Sequence, residues 1–255
     1  MVRKRISLTL DEETVNQVDK EKNRQGFSNR SRAVESFLNE YLDAKTINTA
    51  VILCGGDKKE VSCLKSFDEK PVLLHKVQHL IDYGVKKIIL ATNKNNKAVN
   101  KVLEEFDDVD VKISKEERPL GTAGCLRKFK EDLKETFILT NGDVICKVDI
   151  EDMLNQHREN NTVATMALTT ITEAKNYGVV RLKGNKAVSF EEKPEEPGSK
   201  LINAGFYVLE PEIMDYILKE DKELVAIEDI FKHFSADGKL DGYVYEGEWH
   251  DVGNN

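Results

Sequence analysis

The stretch Ala50-Val51-Ile52-Leu53-Cys54-Gly55-Gly56 predicts the fold of most of this 255-residue chain. Its apolar run, residues 50–53, has the length of a buried strand, and two glycines follow it. A second apolar run, residues 137–140, also ends in a glycine loop, Asn141-Gly142-Asp143. In open parallel sheets, ligands bind beyond the carboxyl ends of the strands. The two loops are therefore the expected ligand site.

Around these two runs the chain alternates strand and helix patterns. Helix patterns span residues 71–83, ended by Gly84, and residues 98–106, whereas strand patterns span residues 87–91 and 111–113. This alternation predicts an α/β fold, a Rossmann-like and mainly parallel sheet in an α/β/α arrangement. A short polar linker, residues 44–48, precedes the domain, which is set at residues 48–255.

The first part of the chain, residues 1–45, follows a different pattern. Alternation places Ile6, Leu8 and Leu10 on one face of a strand and the polar residues of 5–9 on the other. Asp11 is the expected cap of a helix that ends at Gly26, and Ser28 is the expected cap of a second helix. The apolar residues of the second helix form one stripe: Ala33, Val34, Phe37, Leu38, Tyr41 and Leu42.

One strand and two short helices leave an open edge and an uncovered apolar face, and pairing with a second copy covers both. The basic alternating strand, the Gly26 turn and the start of the second helix, Ser28-Asn29-Arg30-Ser31, resemble the ribbon-helix-helix DNA-binding proteins. The resemblance implies a homodimer whose paired strands enter the major groove of a two-fold symmetric or repeated operator site. The implied DNA-binding residues are Arg3, Arg5, Ser7 and Thr9, with backbone N–H groups at Ser28 and Asn29 holding a phosphate.

Two plainer interpretations of residues 1–45 stay open. The module could serve only to dimerise, or it could be a helical hairpin with a fortuitously basic strand.

Charge and cysteine content limit the function further. A formal net charge of -8 excludes a surface devoted entirely to nucleic acid, so any DNA contact comes from a local segment such as Arg3, Lys4 and Arg5. No apolar run has the length of a signal-peptide core or of a membrane span. The four cysteines form no CxxC pair, which argues against a zinc site or a disulfide framework. These features favour a cytoplasmic protein.

A series of motifs along residues 48–255 resembles, in order and spacing, the sugar-1-phosphate nucleotidyltransferases, which include the GDP-mannose pyrophosphorylases and the glucose-1-phosphate thymidylyl- and uridylyltransferases. The motifs are Leu53-Cys54-Gly55-Gly56, Lys70-Pro71, Pro119-Leu120-Gly121-Thr122-Ala123-Gly124, Thr140-Asn141-Gly142-Asp143, Tyr177-Gly178-Val179-Val180, Glu192-Lys193-Pro194, Asn203-Ala204-Gly205-Phe206-Tyr207, Glu228-Asp229-Ile230 and Trp249-His250-Asp251-Val252-Gly253.

The resemblance implies roles at the matching positions. Asp143 and Asp251 would hold Mg²⁺ and, with Lys70, would form the catalytic set of an active enzyme. The residues implied to bind the nucleotide sugar, or the NTP and sugar 1-phosphate, are Leu53, Gly55, Gly56, Leu120, Gly121, Thr122, Gly142, Gly178, Glu192, Lys193 and Asn203. The residue types agree with this, because separated aspartates, a lysine and glycine loops suit a ligand bridged by a diphosphate.

The chain departs from the family in the loop that follows the double glycine. The family's active enzymes continue with Gly-x-Arg-Leu, whereas Lys58 stands here at the glycine position and Glu60 at the arginine position. The spacing from Gly56 to Lys70 is the expected one. The substitution reverses the charge expected beside the triphosphate, although Lys58, Lys59 or Lys65 could supply a compensating cation.

Three functions follow as hypotheses. The first is a DNA-binding transcriptional regulator whose transferase-like domain senses a nucleotide sugar or its precursors, with impaired catalysis. The second is an active sugar-1-phosphate nucleotidyltransferase with an N-terminal dimerisation or DNA-binding module. The third is a non-catalytic partner subunit of an active transferase. Glu60 favours the first and third, and the basic N-terminus favours the first.

Overall fold

The computed structural model describes Lys4 and residues 6–44, 46–55, 62–93, 99, 105–106, 109–116 and 118–253. The chain divides into two compact units, Met1–Lys45 and Thr46–Asn255. The predicted helix over residues 98–106 lies for the most part outside the described residues, as do Gly56, Lys58 and Glu60 of the glycine-rich loop.

The smaller unit contains two helices, α1 (Glu12–Gln25) and α2 (Arg30–Ala44). Asp11 caps α1 by accepting a hydrogen bond from the Thr14 backbone N–H, and Gly26 ends α1 with a left-handed φ of 75°, as predicted. Ser28 was the wrong cap for the second helix. The helix begins one residue later than that cap requires, and the Asn29 side-chain oxygen accepts from the Arg32 N–H at 3.0 Å.

A bidentate ion pair joins the two helices of the smaller unit. Arg30 Nε donates to Asp19 Oδ1 at 2.7 Å and Arg30 Nη2 donates to Asp19 Oδ2 at 2.5 Å. The rings of Phe27 and Phe37 pack edge to face with centroids 5.9 Å apart. The start of the helical hairpin is therefore held by both charge and packing.

Residues 6–10 are not assigned as a strand in the single chain. The side chains of Ile6, Leu8 and Leu10 are 65%, 56% and 44% exposed. A strand is defined by its hydrogen-bonded neighbour, and the described part of one chain contains no neighbour for this segment. The alternating pattern is thus present, but within the described chain residues 6–10 lack the strand-to-strand hydrogen bonds that a β-strand needs.

The larger unit is built on a nine-stranded sheet in the order β5-β4-β1-β6-β11-β8-β12-β10-β9, with two small two-stranded sheets, β7–β13 and β2–β3. The strands are β1 (Thr49–Cys54), β2 (Ser66–Phe67), β3 (Lys70–Pro71), β4 (Lys87–Asn93), β5 (Asp110–Glu116), β6 (Phe137–Asn141), β7 (Val144–Cys146), β8 (Ala164–Thr170), β9 (Gly178–Lys183), β10 (Lys186–Glu192), β11 (Leu201–Leu209), β12 (Leu240–Val244) and β13 (Trp249–Asp251). The helices are α3 (Val72–Asp82), α4 (Ile150–Asn160), α5 (Ile213–Lys219) and α6 (Ile227–Ala236).

The sheet is mixed, which refines the prediction of a mainly parallel one. Strands β1, β4, β5 and β6 run parallel, as expected from the alternating pattern. Strand β11 then runs antiparallel to both of its long neighbours, β6 and β8. Because β11 is buried along most of its length, its residue pattern carries no signal of strand direction.

Two apolar cores cover the two faces of the sheet. One core contains Phe231 and Phe234 of α6 with Ile217 of α5, and the other contains Leu73 and Val77 of α3. The predicted α/β/α layering is therefore present. No described helix of the chain is long and apolar enough to cross a membrane.

The loop that contains Gly121 is hydrogen-bonded to a distant segment of the chain at Val225. The Val225 N–H donates to Leu120 O at 2.9 Å, and Val225 O accepts from the N–H groups of Ala123 and Gly124 at 2.9 and 3.0 Å. Gly121 has a φ of 81°, and a Cβ built on it would lie 2.3 Å from Val225 O. Only glycine fits here, because both the backbone angle and the space exclude a side chain.

We predict that Gly121→Ala destabilises the larger unit more than Gly184→Ala does. Both positions have a positive φ, but a Cβ on Gly184 meets nothing within 4 Å. Each variant loses about 1–2 kcal/mol to the left-handed conformation, and Gly121→Ala loses a further ~1–3 kcal/mol to the clash. Urea unfolding followed by the fluorescence of Trp249, the single tryptophan of the chain, measures both values. Equal losses would contradict the steric assignment.

Candidate nucleotide and metal site

The carboxyl ends of β1 and β6 meet at Gly142. The Gly142 N–H donates to Leu53 O at 2.9 Å. A Cβ on Gly142 would lie 2.6 Å from Leu53 O and 2.9 Å from Cys54 Sγ, so this contact also excludes a side chain. Parallel pairing of β1 with β6 thus brings Leu53 beside Gly142, the residue before Asp143, at the carboxyl end of the sheet where ligands were expected.

Asp143 and Asp251 come together at this edge, although they are far apart in sequence. Antiparallel pairing of β7 with β13 sets Asp251 opposite Val144, the residue after Asp143. A Cβ built on Gly253 would lie 2.3 Å from Asp143 Oδ2 and 3.2 Å from Asp251 Oδ1. The two carboxylates therefore reach the same small space, which remains open only because residue 253 is glycine.

Backbone and lysine contacts hold the segment that carries Asp251. The Val252 N–H donates to Asp143 O, and the Gly253 N–H donates to Asp251 Oδ1, both at 2.9 Å. Lys65 Nζ donates to Val252 O at 2.8 Å. Lys65 thus reaches this segment, whereas the predicted catalytic residue Lys70 lies on β3 with an exposed side chain.

Tyr177 lies beside the acidic pair. Its pKa is raised by burial and then by the negative charge of Asp251, to which its hydroxyl is hydrogen-bonded. Its ring packs edge to face on Trp249 with centroids 5.4 Å apart. Trp249 in turn donates from Nε1 to Ala204 O at 3.2 Å, which ties β13 to β11.

Thr122 has a structural contact that the sequence did not predict. Its hydroxyl accepts from the Ile227 N–H at 2.8 Å and donates to Glu228 Oε2 at 3.0 Å. It therefore caps the first turn of α6. Leu120, Ala123 and Gly124 of the same loop are hydrogen-bonded to Val225, so backbone contacts hold the shape of this loop.

The residues assigned to the sugar phosphate form a second group. A Cβ on Gly178 would lie 2.9 Å from Glu192 Oε2, so glycine lets this carboxylate approach the backbone. Burial and then the charge of Glu228 raise the pKa of Glu192. Lys193 follows with a left-handed φ of 48°, and its Nζ lies 3.9 Å from Glu192 Oε1.

Asn203 belongs to the same group through Tyr207. Asn203 Nδ2 donates to the Tyr207 hydroxyl at 2.8 Å, and Asn203 Oδ1 accepts from the Gly205 N–H at 2.9 Å. Burial and then the charge of Glu228 raise the pKa of Tyr207 well above its usual value. Asn203 is thereby held in one orientation, as a binding residue should be.

Lys76 is a buried charge that the sequence analysis missed. It lies on α3, is 6% exposed, and donates from Nζ to Thr140 Oγ1 at 2.9 Å. Burial lowers its pKa to about 8. The only sequence signal was a lysine among the apolar residues of the helix that follows Pro71, and a lysine there usually extends to solvent.

The predicted DNA-binding residues lie in the smaller unit. Arg3 and Arg5 lie outside the described residues, and Ser7 and Thr9 are exposed. Ser28 and Asn29 precede α2, at the amino end where backbone N–H groups point outward.

The described residues contain no group of three or more His, Cys, Asp and Glu side chains placed to hold a metal ion. The carboxylate pair of Asp143 and Asp251 still suits Mg²⁺, which is usually held by one or two carboxylates, substrate phosphates and water.

Comparison with known proteins agrees with both units. The nucleotidyl transferase family matches residues 52–255, and the copG family of ribbon-helix-helix proteins matches residues 4–45. A mannose-1-phosphate guanyltransferase of Yarrowia lipolytica is 36% identical over 74% of this chain and 54% of its own length. The catalytic subunit beta of the Danio rerio mannose-1-phosphate guanylyltransferase is 33% identical over the same shares. The chain thus spans about half the length of these curated relatives.

A solved UDP-glucose pyrophosphorylase in complex with UDP-glucose has the same fold, with a TM-score of 0.71 at 16% identity over 82% of this chain and 94% of that one. The fold, the motif order and the family match lead to one assignment: this chain belongs to the nucleotidyl transferase family and has a ribbon-helix-helix module at its N-terminus.

Proposed function

We propose that the protein is a DNA-binding regulator whose transferase-like domain senses a nucleotide sugar and has lost most of its catalytic power. The observation that carries the proposal is a contrast between the described acidic pair and the sequence of the loop that follows Gly55. The carboxylate pair and the glycine contacts of the site are assembled, whereas Glu60 replaces the arginine expected at the phosphates. Such a site keeps the means to bind a ligand but lacks a main group that stabilises the transition state.

The relatives support a guanine nucleotide with mannose as the ligand class. The relatives from Yarrowia lipolytica and Danio rerio are both named as mannose-1-phosphate guanyltransferases or guanylyltransferases. We therefore propose GDP-mannose, or GTP with mannose 1-phosphate, as the molecules to which the larger unit responds. Mg²⁺ held by Asp143 and Asp251 would offset the charge of the diphosphate.

The smaller unit supplies the proposed DNA contact and the dimer. Ile6, Leu8 and Leu10 are exposed in the single chain, and an alternating strand with one apolar face is stable only when another strand pairs with it. We propose that a second copy pairs there and that Arg5, Ser7 and Thr9 then face base edges. A regulator of this kind works in the compartment that holds the DNA, so the cytoplasmic placement is part of the same proposal.

A second candidate function is an active transferase. The position of Lys65 favours it, because this lysine lies beside the segment of Asp251 and could provide part of the missing positive charge. A lysine lacks the planar fork with which arginine engages two phosphate oxygens, so we rank this function second.

We predict that the full chain binds a two-fold symmetric DNA site selected from a random library. Arg5→Ala should weaken binding to that site by about 1–3 kcal/mol and relax its sequence preference, because a base-edge contact is lost. Lys20→Ala, which removes the same charge from the exposed surface of α1, is the matched control and should have a smaller effect. Fluorescence anisotropy at several salt concentrations measures both. Equal, salt-independent binding by the wild type and by a chain without residues 1–44 contradicts the proposal.

We predict that the two aspartates support ligand binding through Mg²⁺. Asp143→Asn and Asp251→Asn should each raise the Kd for GDP-mannose at least about tenfold, which corresponds to ~1.4 kcal/mol, and EDTA should then have little further effect. Asp221→Asn changes an exposed carboxylate elsewhere and should leave the Kd unchanged. Calorimetry measures all three. Unchanged affinity in both site variants, with and without EDTA, removes the metal from the proposal.

We predict that the wild type forms little GDP-mannose from GTP and mannose 1-phosphate. An arginine aimed at a transferring phosphate contributes roughly 10³–10⁵ in rate in related systems. Two unit charges about 4 Å apart interact by ~4 kcal/mol at an effective dielectric of 20, so a charge reversal costs up to ~8 kcal/mol before screening.

The double variant Lys58→Gly/Glu60→Arg tests the cause, and it should release pyrophosphate faster than the wild type. Glu69→Arg makes the same change of charge as Glu60→Arg alone, at a position outside the two substituted ones, and should not release pyrophosphate faster. Wild-type turnover within about tenfold of that of an active family member, a difference of ~1.4 kcal/mol in activation free energy, contradicts this prediction. The active transferase would then be the correct function.

A further inference from the structure

A cavity of about 260 Å³ opens beside α3, where residues of β6, β7 and β11 complete its wall. Its polar lining includes His75, Lys76, His79, Thr140 and Lys147. Its apolar lining includes Leu80, Ile145 and Phe206. The combination of a buried cation, histidines and apolar walls is typical of a site that binds a small anion away from bulk water.

Lys76 provides the positive charge of this cavity. Its ammonium group has three N–H donors, and Thr140 Oγ1 accepts one of them at 2.9 Å. The Thr140 hydroxyl in turn donates its own hydrogen bond to Gly205 O at 3.0 Å. Since burial has already removed most of the water from Lys76, an anion in the cavity would bond to a cation that is poorly solvated.

His79 provides an acceptor one helical turn after Lys76, on the same face of α3. Its ring is hydrogen-bonded to the backbone of Val148, while burial and the charge of Lys76 lower its pKa. Its Nε2 atom is buried and has no hydrogen-bond partner among the described residues. With Nδ1 donating to Val148 O, Nε2 carries a lone pair that no described donor satisfies.

The other charged residues at the cavity are already paired. Lys147 forms an ion pair with Glu248. Asp82 is exposed and accepts a hydrogen bond from Gln78 Nε2 at 2.7 Å. His75 Nε2 is bonded to Phe67 O at 2.9 Å. Lys76 and His79 are therefore the groups that define the ligand chemistry.

We propose that this cavity binds inorganic hydrogen phosphate. The charged oxygens accept from Lys76, and the remaining P–OH group donates to His79 Nε2. Sulfate has the same tetrahedral shape, but it has no O–H group near neutral pH. It would leave the histidine acceptor unpaired, and a site with an unpaired buried polar group discriminates strongly against such an analogue.

The experiment is a calorimetric titration of the full chain with inorganic phosphate, sulfate and glycerol phosphate in a HEPES buffer. It omits nucleotide, Mg²⁺ and DNA, so its result does not depend on whether the proposed regulatory function is correct. We expect saturable phosphate binding at least tenfold tighter than sulfate binding. Glycerol phosphate, whose ester group is mostly a dianion without a P–OH group near neutral pH, should bind no more tightly than sulfate; an ester that binds more tightly than inorganic phosphate contradicts the proposal.

Two variants test the assigned groups. Lys76→Met should abolish binding of both ions, and it should fold, because it replaces a buried charge by an apolar chain of similar length. His79→Leu should abolish the preference for phosphate over sulfate, because the acceptor that distinguishes the two ions is gone. Trp249 fluorescence in phosphate-free buffer checks that each variant is folded.

Three further outcomes overturn the proposal: no saturable phosphate binding, equal wild-type affinities for phosphate and sulfate, or phosphate affinity unchanged in both variants. The comparison of the two ions uses only the wild type, so it decides the matter even if a variant does not fold.

Discussion

The parallel pairing of β1 with β6 is the contact on which the rest of the larger unit depends. It places the carboxyl ends of two buried strands side by side, and the close approach of Gly142 to Leu53 O fixes how the following loops leave the sheet. A side chain at residue 142 would push these loops apart. The position of Asp143 is therefore set by backbone packing in the core, far more rigidly than a surface loop could set it.

The acidic pair is completed from the far end of the chain. The β7–β13 ladder carries Asp251 to Asp143, and Gly253 leaves the space between the carboxylates open. Two like charges so close together repel each other, so the pair is more stable with a cation between them. Lys65 donates to Val252 O in the same segment, and the space against Gly253 that both carboxylates reach suits a divalent ion.

The smaller unit solves a different physical problem. Its two helices are joined by the Asp19–Arg30 pair and by the packing of Phe27 on Phe37, yet residues 6–10 keep an apolar face in contact with solvent. An isolated segment of this kind leaves its backbone hydrogen-bonded only to water and its apolar side chains unburied. A two-chain sheet would do both, and it would place two copies of the basic segment on one surface. In this scheme dimerisation and DNA recognition have the same structural cause.

Local sequence signals determined much of what is local. The cap at Asp11, the stop at Gly26, the helix before Gly84 and the parallel strands β1, β4, β5 and β6 followed from residue patterns, because short-range hydrogen bonding and periodic burial produce those features. The identities of the glycines and aspartates at the ligand edge also came from the sequence. Only the tertiary structure decided the direction of β11, the capping of α6 by Thr122, the meeting of Asp143 with Asp251 and the burial of Lys76. Each of these depends on segments that are distant in the chain, and no local pattern records which distant segment will pack against it.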